Sequence, residues 1–551
     1  MINKYFDNKY SRLSFSRLES LYLVCLTIVG TIIRIIFHYN RPFVNDQVGT
    51  LIYMEKSIPF LLTHFESWLT MNYFILLEKI VFRLAGYHQA VLSLIPLIAG
   101  IATIPLTALL ARQFTSTKTA LLSATLVVAN SYLIYYSGII RSYSLLTAFS
   151  LLVVILFFKW SLNRNYKNGI YLALACYLLI LSHPNGVYTI GYILLILGLD
   201  VLDTLRRKEK PSTLTFLLPF LGSVLLMIVS YLRIIPPFLE WGTPWHDTPP
   251  TSIDYLPYVF SEYFASGYFG WLSAILLISG ILSTVRSLKP LLILLPSLVL
   301  PIILISVQGI SHYPWAYSRF LIFMLPICIL FIAEGIQSLS SLTGTHLKNL
   351  SLALTVILLI TWIPNLLSSY HTKIDFPWNQ AASFIKQTSN VNIILYGEAI
   401  EKINFYPYFS KTEYRQSELS AFKKGNFIPA TGKNVYFVTT GPSIFSNYQK
   451  YTFGKIQVII YPTNTYENQL QMIRTDLLKS ENIGKVSSDL TDVYRNIWQL
   501  SRKLDGDNMT SFSYYDLFMH CLQLTAEQRS IPLSLQYAQL QANGYQVIKD
   551  H

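Results

Sequence analysis

Long apolar stretches separated by short polar breaks run from residue 21 to residue 367. Crossing a bilayer core about 30 Å thick takes about 20 helical residues. Runs of that order lie at 21–37, 88–111, 119–137, 143–162, 168–182, 184–202, 213–235, 268–285, 289–308, 317–336 and 348–367. The pattern predicts a polytopic α-helical membrane protein of about eleven transmembrane helices over 20–370, preceded by a leader over 1–19. One of the two runs flanking His183 is short for a full crossing. The leader carries Lys4, Lys9, Arg12 and Arg17 and enters the first run without a small-residue cleavage site. That is the pattern of a retained span. From about Asp375 the pattern changes. Short β-prone runs at 392–396, 434–439 and 456–461 alternate with helical stretches at 379–387 and 468–479, predicting an α/β domain over 371–551.

Composition agrees with the pattern. Charged residues make up 13% of the chain and hydrophobic ones 52%, where a soluble domain carries about 25% charged residues. An ordinary soluble enzyme, a disordered chain and a nucleic-acid-binding protein are excluded on that ground. The net charge of +13 lies mostly in the membrane part, and its placement orients the chain. Arg112 and Lys118, then Lys159, Arg164 and Lys167, then Arg206, Arg207, Lys208 and Lys210, then Arg286 and Lys289, and finally Lys348 occupy alternate connections. The stretch 236–267 has no Lys or Arg but holds Glu240, Asp247, Asp254 and Glu262. Positive residues stay inside. The N-terminus is therefore expected in the cytoplasm, and 236–267 and the C-terminal domain outside a plasma (inner) membrane. Cys25, Cys176 and Cys328 lie in apolar runs and read as buried thiols; with Cys521 they have no metal-ligand spacing.

Polar residues at membrane depth are costly and tend to be paired or functional. The first outer segment, 38–87, holds Arg41, Asp46, Gln47, Glu55, Lys56, His64, Glu66 and Glu78, with an amphipathic piece at 73–84 expected along the interface. Arg141, His183 and Arg319 also fall on the outer side. Several cations and one carboxylate at a single face suit a lipid-linked phosphate with a general base beside it. Simpler readings stand next to this one. Arg34 and Arg233 would reach for headgroups, His183 beside Pro184 would cap a helix break, Asp46 would be an N-cap, and Glu334 would be structural. Tryptophans at the surface mostly form the interfacial belt, although Trp241, Trp245 and Trp271 would also stack on a sugar face. No GxGxxG, P-loop, HExxH or CxxC pattern occurs, so no nucleotide cofactor is expected.

At these residues the chain resembles the GT-C membrane glycosyltransferases. The likeness is to glycosyltransferase family 39, which includes protein O-mannosyltransferases and the aminoarabinose transferase acting on lipid A. NDQVGTLIY (Asp46, Gln47) stands in place of that family's acidic motif in the first outer loop, and LSLIPLIAGIATIPLTALLARQF is similar to its second span. YYSGIIRSYSLL (Arg141, Tyr143), LSHPNG (His183), SRFLIFMLP (Arg319, Phe320) and PWNQAASFIKQ follow in order, so the resemblance covers roughly 20–390. Two departures stand out: TMN (Thr70–Asn72) replaces a His-Pro-Pro-like segment, and Gln47 replaces a second acid. They leave a divalent metal open, with Glu55, His64 or Glu66 as replacements for the lost acid.

The resemblance implies transfer of a sugar from a polyprenyl-phosphate donor to a hydroxyl on a lipid, glycan or protein acceptor, with inversion. Asp46 would be the general base, Arg141, Arg319 and His183 would hold the donor phosphate, and Trp241, Trp245, His246 and Asp247 would shape the acceptor cleft. It also implies a bacterial inner membrane. A transporter or flippase for a lipid-linked glycan, and a noncatalytic GT-C relative, are the alternatives.

Overall fold

The computed structural model describes residues 15–38, 41, 43, 46–63, 72–85, 89–162, 165–206, 255–265, 268–287, 294–308, 314–342, 349–375, 378–388, 393–397, 414–418, 435–439 and 450–461. Within the lipid, a backbone that cannot bond to water must bond to itself, so apolar runs become helices. The helices are α1 (Arg17–His38), α2 (Asp46–Met54), α3 (Ile58–Thr63), α4 (Asn72–Ala85), α5 (Gln89–Leu92), α6 (Leu94–Phe114), α7 (Thr117–Ala129), α8 (Ser131–Tyr136) and α9 (Tyr143–Leu162). They continue with α10 (Tyr166–Ser182), α11 (Gly186–Arg206), α12 (Tyr255–Tyr263), α13 (Tyr268–Ser287), α14 (Pro296–Gln308), α15 (Pro314–Phe320), a 3-10 turn (Ile322–Met324), α16 (Leu325–Leu342) and α17 (Leu350–Asp375). Among the described residues, five helical stretches are long and apolar enough to cross a bilayer, and five further apolar helices are shorter. The chain is a multi-pass membrane protein.

The count of about eleven full spans is not reproduced among the described residues, for local reasons. The run 119–137 is two helices, because the Asn130 Oδ1 accepts the Leu133 N–H at 3.0 Å and starts α8. The run 317–336 is broken after Phe320 by the 3-10 turn. The run 213–235, with Arg233, lies outside the described residues. Close helix crossing occurs where side chains vanish. A Cβ on Gly280 of α13 would run into the Phe331 carbonyl oxygen of α16, and one on Gly335 into that of Leu276. Small residues let the two backbones touch, as in other membrane helix pairs.

Two sequence expectations are corrected here. Arg34 does not reach for headgroups: it is fully buried, with Nη1 donating to the Gly30 carbonyl at 3.1 Å and Nη2 to that of Val127 at 3.4 Å. Backbone acceptors of α1 and α7 are nearer than the water interface. Cys176 is buried but Cys25 is exposed, on a face of α1 that also presents Leu21, Val24, Ile28 and Ile32 outward. In a lipid-facing helix an apolar residue has no reason to turn inward. Glu334 is structural, accepting from Thr119 Oγ1 at 3.0 Å and so joining α16 to the first turn of α7.

Contacts divide the chain into two units, Met1–Arg41 with Gly49–Thr372, and Pro42–Val48 with Lys373–His551. The second contains α18 (Trp378–Thr388) and the strands β1 (Ile393–Gly397), β2 (Tyr414–Glu418), β3 (Val435–Thr439), β4 (Lys450–Phe453) and β5 (Ile456–Tyr461), in the order β2-β1-β3-β5-β4. β1 pairs parallel with β2 and β3, while β5 pairs antiparallel with β3 and β4. Gly454, at φ 55°, opens the two-residue β4–β5 turn, where a side chain would be strained. α18 buries Trp378, Ala381, Ala382 and Ile385 along one stripe. Phe384 packs on Tyr451 and Phe453, with ring centroids 4.3 and 5.3 Å away. The predicted helical stretch at 468–479 lies outside the described residues.

Candidate functional site

The connection between α10 and α11 is short, and Pro184 is its second residue. His183 is the C-cap of α10 and is buried at 2% exposure. Its Nδ1 accepts the Asn185 backbone N–H at 3.0 Å. An imidazole nitrogen that accepts carries no proton, so the ring proton sits on Nε2. That Nε2 is buried and has no hydrogen-bond partner among the described residues. The ring lies 5.4 Å from that of Tyr143 and 6.4 Å from that of Phe320. Burial first, then Arg141 and Arg319, push the imidazole down to about 3. The ring is therefore neutral at physiological pH, and both guanidinium groups are near enough to act on it.

Each arginine is set by its own local framework. Arg141 follows the break after α8 and is half-buried, with its Nη1 donating to Thr50 Oγ1 at 3.4 Å. Thr50 belongs to α2, the helix whose first residue is Asp46. Arg319 lies near the end of α15, its Cζ 5.5 Å from the Phe320 ring. The neighbouring Ser318 is held twice, its hydroxyl accepting from Tyr132 Oη at 2.8 Å and its carbonyl from Tyr263 Oη at 2.6 Å. Asn185 Nδ2 donates to the Phe320 carbonyl at 3.1 Å, on the other side of the arginine. Tyr263 also lines an apolar cavity of about 560 Å³, with Phe260, Phe264, Trp271, Leu321 and Met324. An apolar hollow and a fixed cation are thus linked through one tyrosine.

α4 turns its polar side inward. It exposes Leu77, Ile80 and Leu84 and buries Glu78 and Lys79. This is the arrangement of a helix lying on a membrane with its apolar face to the lipid. Lys79 Nζ donates to the carbonyls of Met54 and Lys56, both at 2.6 Å, and so fastens the C-terminal end of α2. Arg41 is buried with its Cζ 4.1 Å from the Tyr135 ring and 5.4 Å from that of Phe37. Glu78 is fully buried, and neither carboxyl oxygen has a hydrogen-bond partner among the described residues.

Burial pushes the Glu78 carboxyl up to about 9. The unfolded chain ionises near 4.5 and the folded one does not, so stability is expected to fall as pH rises from about 4.5 to about 9. Replacement by glutamine removes that ionisation. At about pH 8, Glu78→Gln is expected to raise stability by on the order of 2 kcal/mol, with no gain near pH 5. Thermal unfolding of the detergent-purified protein at both pH values measures this, and an equal effect at the two excludes it.

Of the residues singled out in the sequence, Arg141 and Arg319 are near enough to His183 for their charge to act on its ring. Asp46 is the first residue of α2 rather than a cap preceding it, and Gln47 behind it is buried. Glu55 is half-buried just after α2. Trp271 stands at the cavity rim, largely exposed. His64, Glu66, Trp241, Trp245, His246 and Asp247 lie outside the described residues. No group of three His, Cys, Asp or Glu side chains that could hold a metal ion occurs among the described residues. Asn185, Ser318 and Tyr263 carry no signal in an isolated sequence, because each acts on a residue of another segment.

No protein-family model and no curated protein sequence matches the chain. Solved structures do. ArnT from Cupriavidus metallidurans in the apo state superposes with a TM-score of 0.53 at 13% identity, over 80% of this chain and 98% of that one. ArnT from the same organism bound to undecaprenyl phosphate gives 0.50 at 12% identity, over 81% and 98%. The fold is GT-C. The likeness runs over nearly the whole length of ArnT.

Proposed function

We propose that the chain is a glycosyltransferase that moves a sugar from a polyprenyl-phosphate donor to an acceptor hydroxyl on the outer side of the membrane. The observation that carries this reading is that Arg141 and Arg319 both act electrostatically on the buried His183 imidazole, whose Nε2–H finds no acceptor among the described residues. Two guanidinium groups and a neutral N–H donor suit a phosphate better than a neutral or cationic ligand. The cavity beside Tyr263 offers the first isoprene units an apolar seat. The likeness to ArnT bound to undecaprenyl phosphate adds to the same reading.

In the proposed reaction Asp46 accepts the proton of the acceptor hydroxyl as its oxygen attacks the anomeric carbon. The bond from that carbon to the phosphate oxygen breaks, and the electron pair leaves on polyprenyl phosphate. Arg141, Arg319 and His183 stabilise the growing charge on the phosphate. The acceptor cleft is assigned to the Trp241–Asp247 loop together with Gln47, Glu55, His64 and Glu66. A lipid-borne donor needs no nucleotide site outside the cell.

Purified protein incubated with labelled polyprenyl-phosphate sugars and extracted cell-envelope acceptors is expected to release polyprenyl phosphate and label the acceptor. Translocation of the intact donor across vesicles without transfer would replace this reading with a flippase.

A further inference from the structure

We infer that Asn185 is a positioning residue, which sets His183 as a fixed, uncharged hydrogen-bond donor to the leaving phosphate and locks it to the arginine of the neighbouring segment. The inference rests on the phosphate-binding reading and extends it to a residue that touches no ligand. Two bonds carry it. The Asn185 backbone N–H points at His183 Nδ1 (3.0 Å), and the Asn185 side-chain amide points at the Phe320 carbonyl (3.1 Å). The first bond selects the tautomer, since an N–H donor is compatible only with an unprotonated Nδ1. The second ties the turn before α11 to the residue following Arg319. Asn185 is itself buried, so neither bond competes freely with water.

The turn is built to hold this geometry. The His183 carbonyl accepts the Gly186 N–H at 3.0 Å, the Pro184 carbonyl that of Val187 at 3.0 Å, and the Asn185 carbonyl that of Tyr188 at 3.1 Å. Nδ1 is thereby satisfied inside the protein while Nε2–H is left buried without a protein acceptor. A buried donor without a partner is costly, and an anion would remove the cost. Arg141, Tyr143 and Arg319 are the charged or titratable groups found facing the ring. With two cations there, a third on His183 would oppose them. Fixing the neutral tautomer keeps the site's charge constant across physiological pH.

The test is the affinity for polyprenyl phosphate of wild type, Asn185→Ala, Asn185→Asp, His183→Gln and the His183→Gln/Asn185→Ala pair. The quantity read is the ratio of mutant to wild-type affinity from about pH 8 to about pH 5.5, across the ordinary histidine range near 6.5. The ligand's own titration cancels in that ratio. Asn185→Ala keeps its backbone N–H but loses the side-chain tie to the Phe320 carbonyl, so the turn loosens and admits water to the buried ring. It is expected to weaken binding about tenfold at the alkaline end and to recover most of it at the acid end, as the newly hydrated imidazole gains its proton. Asn185→Asp, of equal size but without the Nδ2 donor and with a carboxylate that opposes the phosphate, is expected to show the same trend from a larger loss at the alkaline end. In the His183→Gln background, Asn185→Ala is expected to leave a ratio independent of pH. A flat ratio in Asn185→Ala and Asn185→Asp with normal wild-type binding overturns the inference alone. Absence of wild-type binding overturns the phosphate reading, and the inference with it.

Discussion

Asp46→Asn is expected to lower sugar transfer by about 10³-fold while leaving polyprenyl phosphate affinity and the elution profile of the purified protein unchanged, since a positioned general base contributes about 10²–10⁴-fold. The side chain changes by one atom group and keeps its size, so folding has little reason to respond. What it loses is the capacity to accept a proton. Asp46 opens α2, and four residues on in that helix Thr50 accepts from Arg141. Lys79 fastens the other end of the same helix. Loss of transfer with intact donor binding is the signature of a group acting on the acceptor. Full activity of the Asn variant would remove Asp46 from the chemistry and turn attention to Glu55.

Much of this architecture was legible from hydropathy, because in lipid an apolar run has almost no alternative to a helix. The runs at 21–37, 143–162 and 348–367 appear as α1, α9 and the apolar part of α17. The strand-forming runs of the C-terminal part appear as β1, β3 and β5. What hydropathy misses are side chains that compete with the average. Asn130 divides one run by capping α8. Arg34 lies at a span end, yet it finds carbonyls on α1 and α7 instead of headgroups. Its preference depends on how α1 meets α7, which no window along the chain contains.

The site divides in the same way. Arg141, His183 and Arg319 stood out because an ionisable residue beside an apolar run has few cheap explanations. Their partners did not. Asn185 matters through a turn and through the Phe320 carbonyl 135 residues away. Ser318 matters through Tyr132 and Tyr263, which lie 186 and 55 residues away. The stretch 73–84 reads as an amphipathic interfacial helix, and Glu78 and Lys79 are on its buried face because Leu77, Ile80 and Leu84 take the outside. In a lipid environment the amphipathic pattern gives the two faces, and only the structure gives which one meets protein.

Arg319→Ala is expected to weaken polyprenyl phosphate binding more than Arg141→Ala does, by about 10²-fold against about tenfold, each charge-assisted contact contributing roughly 1.5–3 kcal/mol. The order follows from preorganisation. Arg319 sits between Ser318, gripped by Tyr132 and Tyr263, and Phe320, whose carbonyl is held by Asn185. Little freedom is then left to lose on binding, so more of the interaction appears as affinity. Arg141 already spends one guanidinium nitrogen on Thr50, and that contact competes with the phosphate or must be shared with it. Arg319→Lys is expected to recover only part of the loss, because an ammonium lacks the fork that pairs with two phosphate oxygens. Because the two guanidinium groups would meet one anion, the double alanine variant is expected to lose less than the sum of the single losses. Binding of labelled polyprenyl phosphate to the four variants in nanodiscs decides the matter. Unchanged affinity in Arg319→Ala would sink the phosphate role, whereas strict additivity would place the arginines on separate ligands.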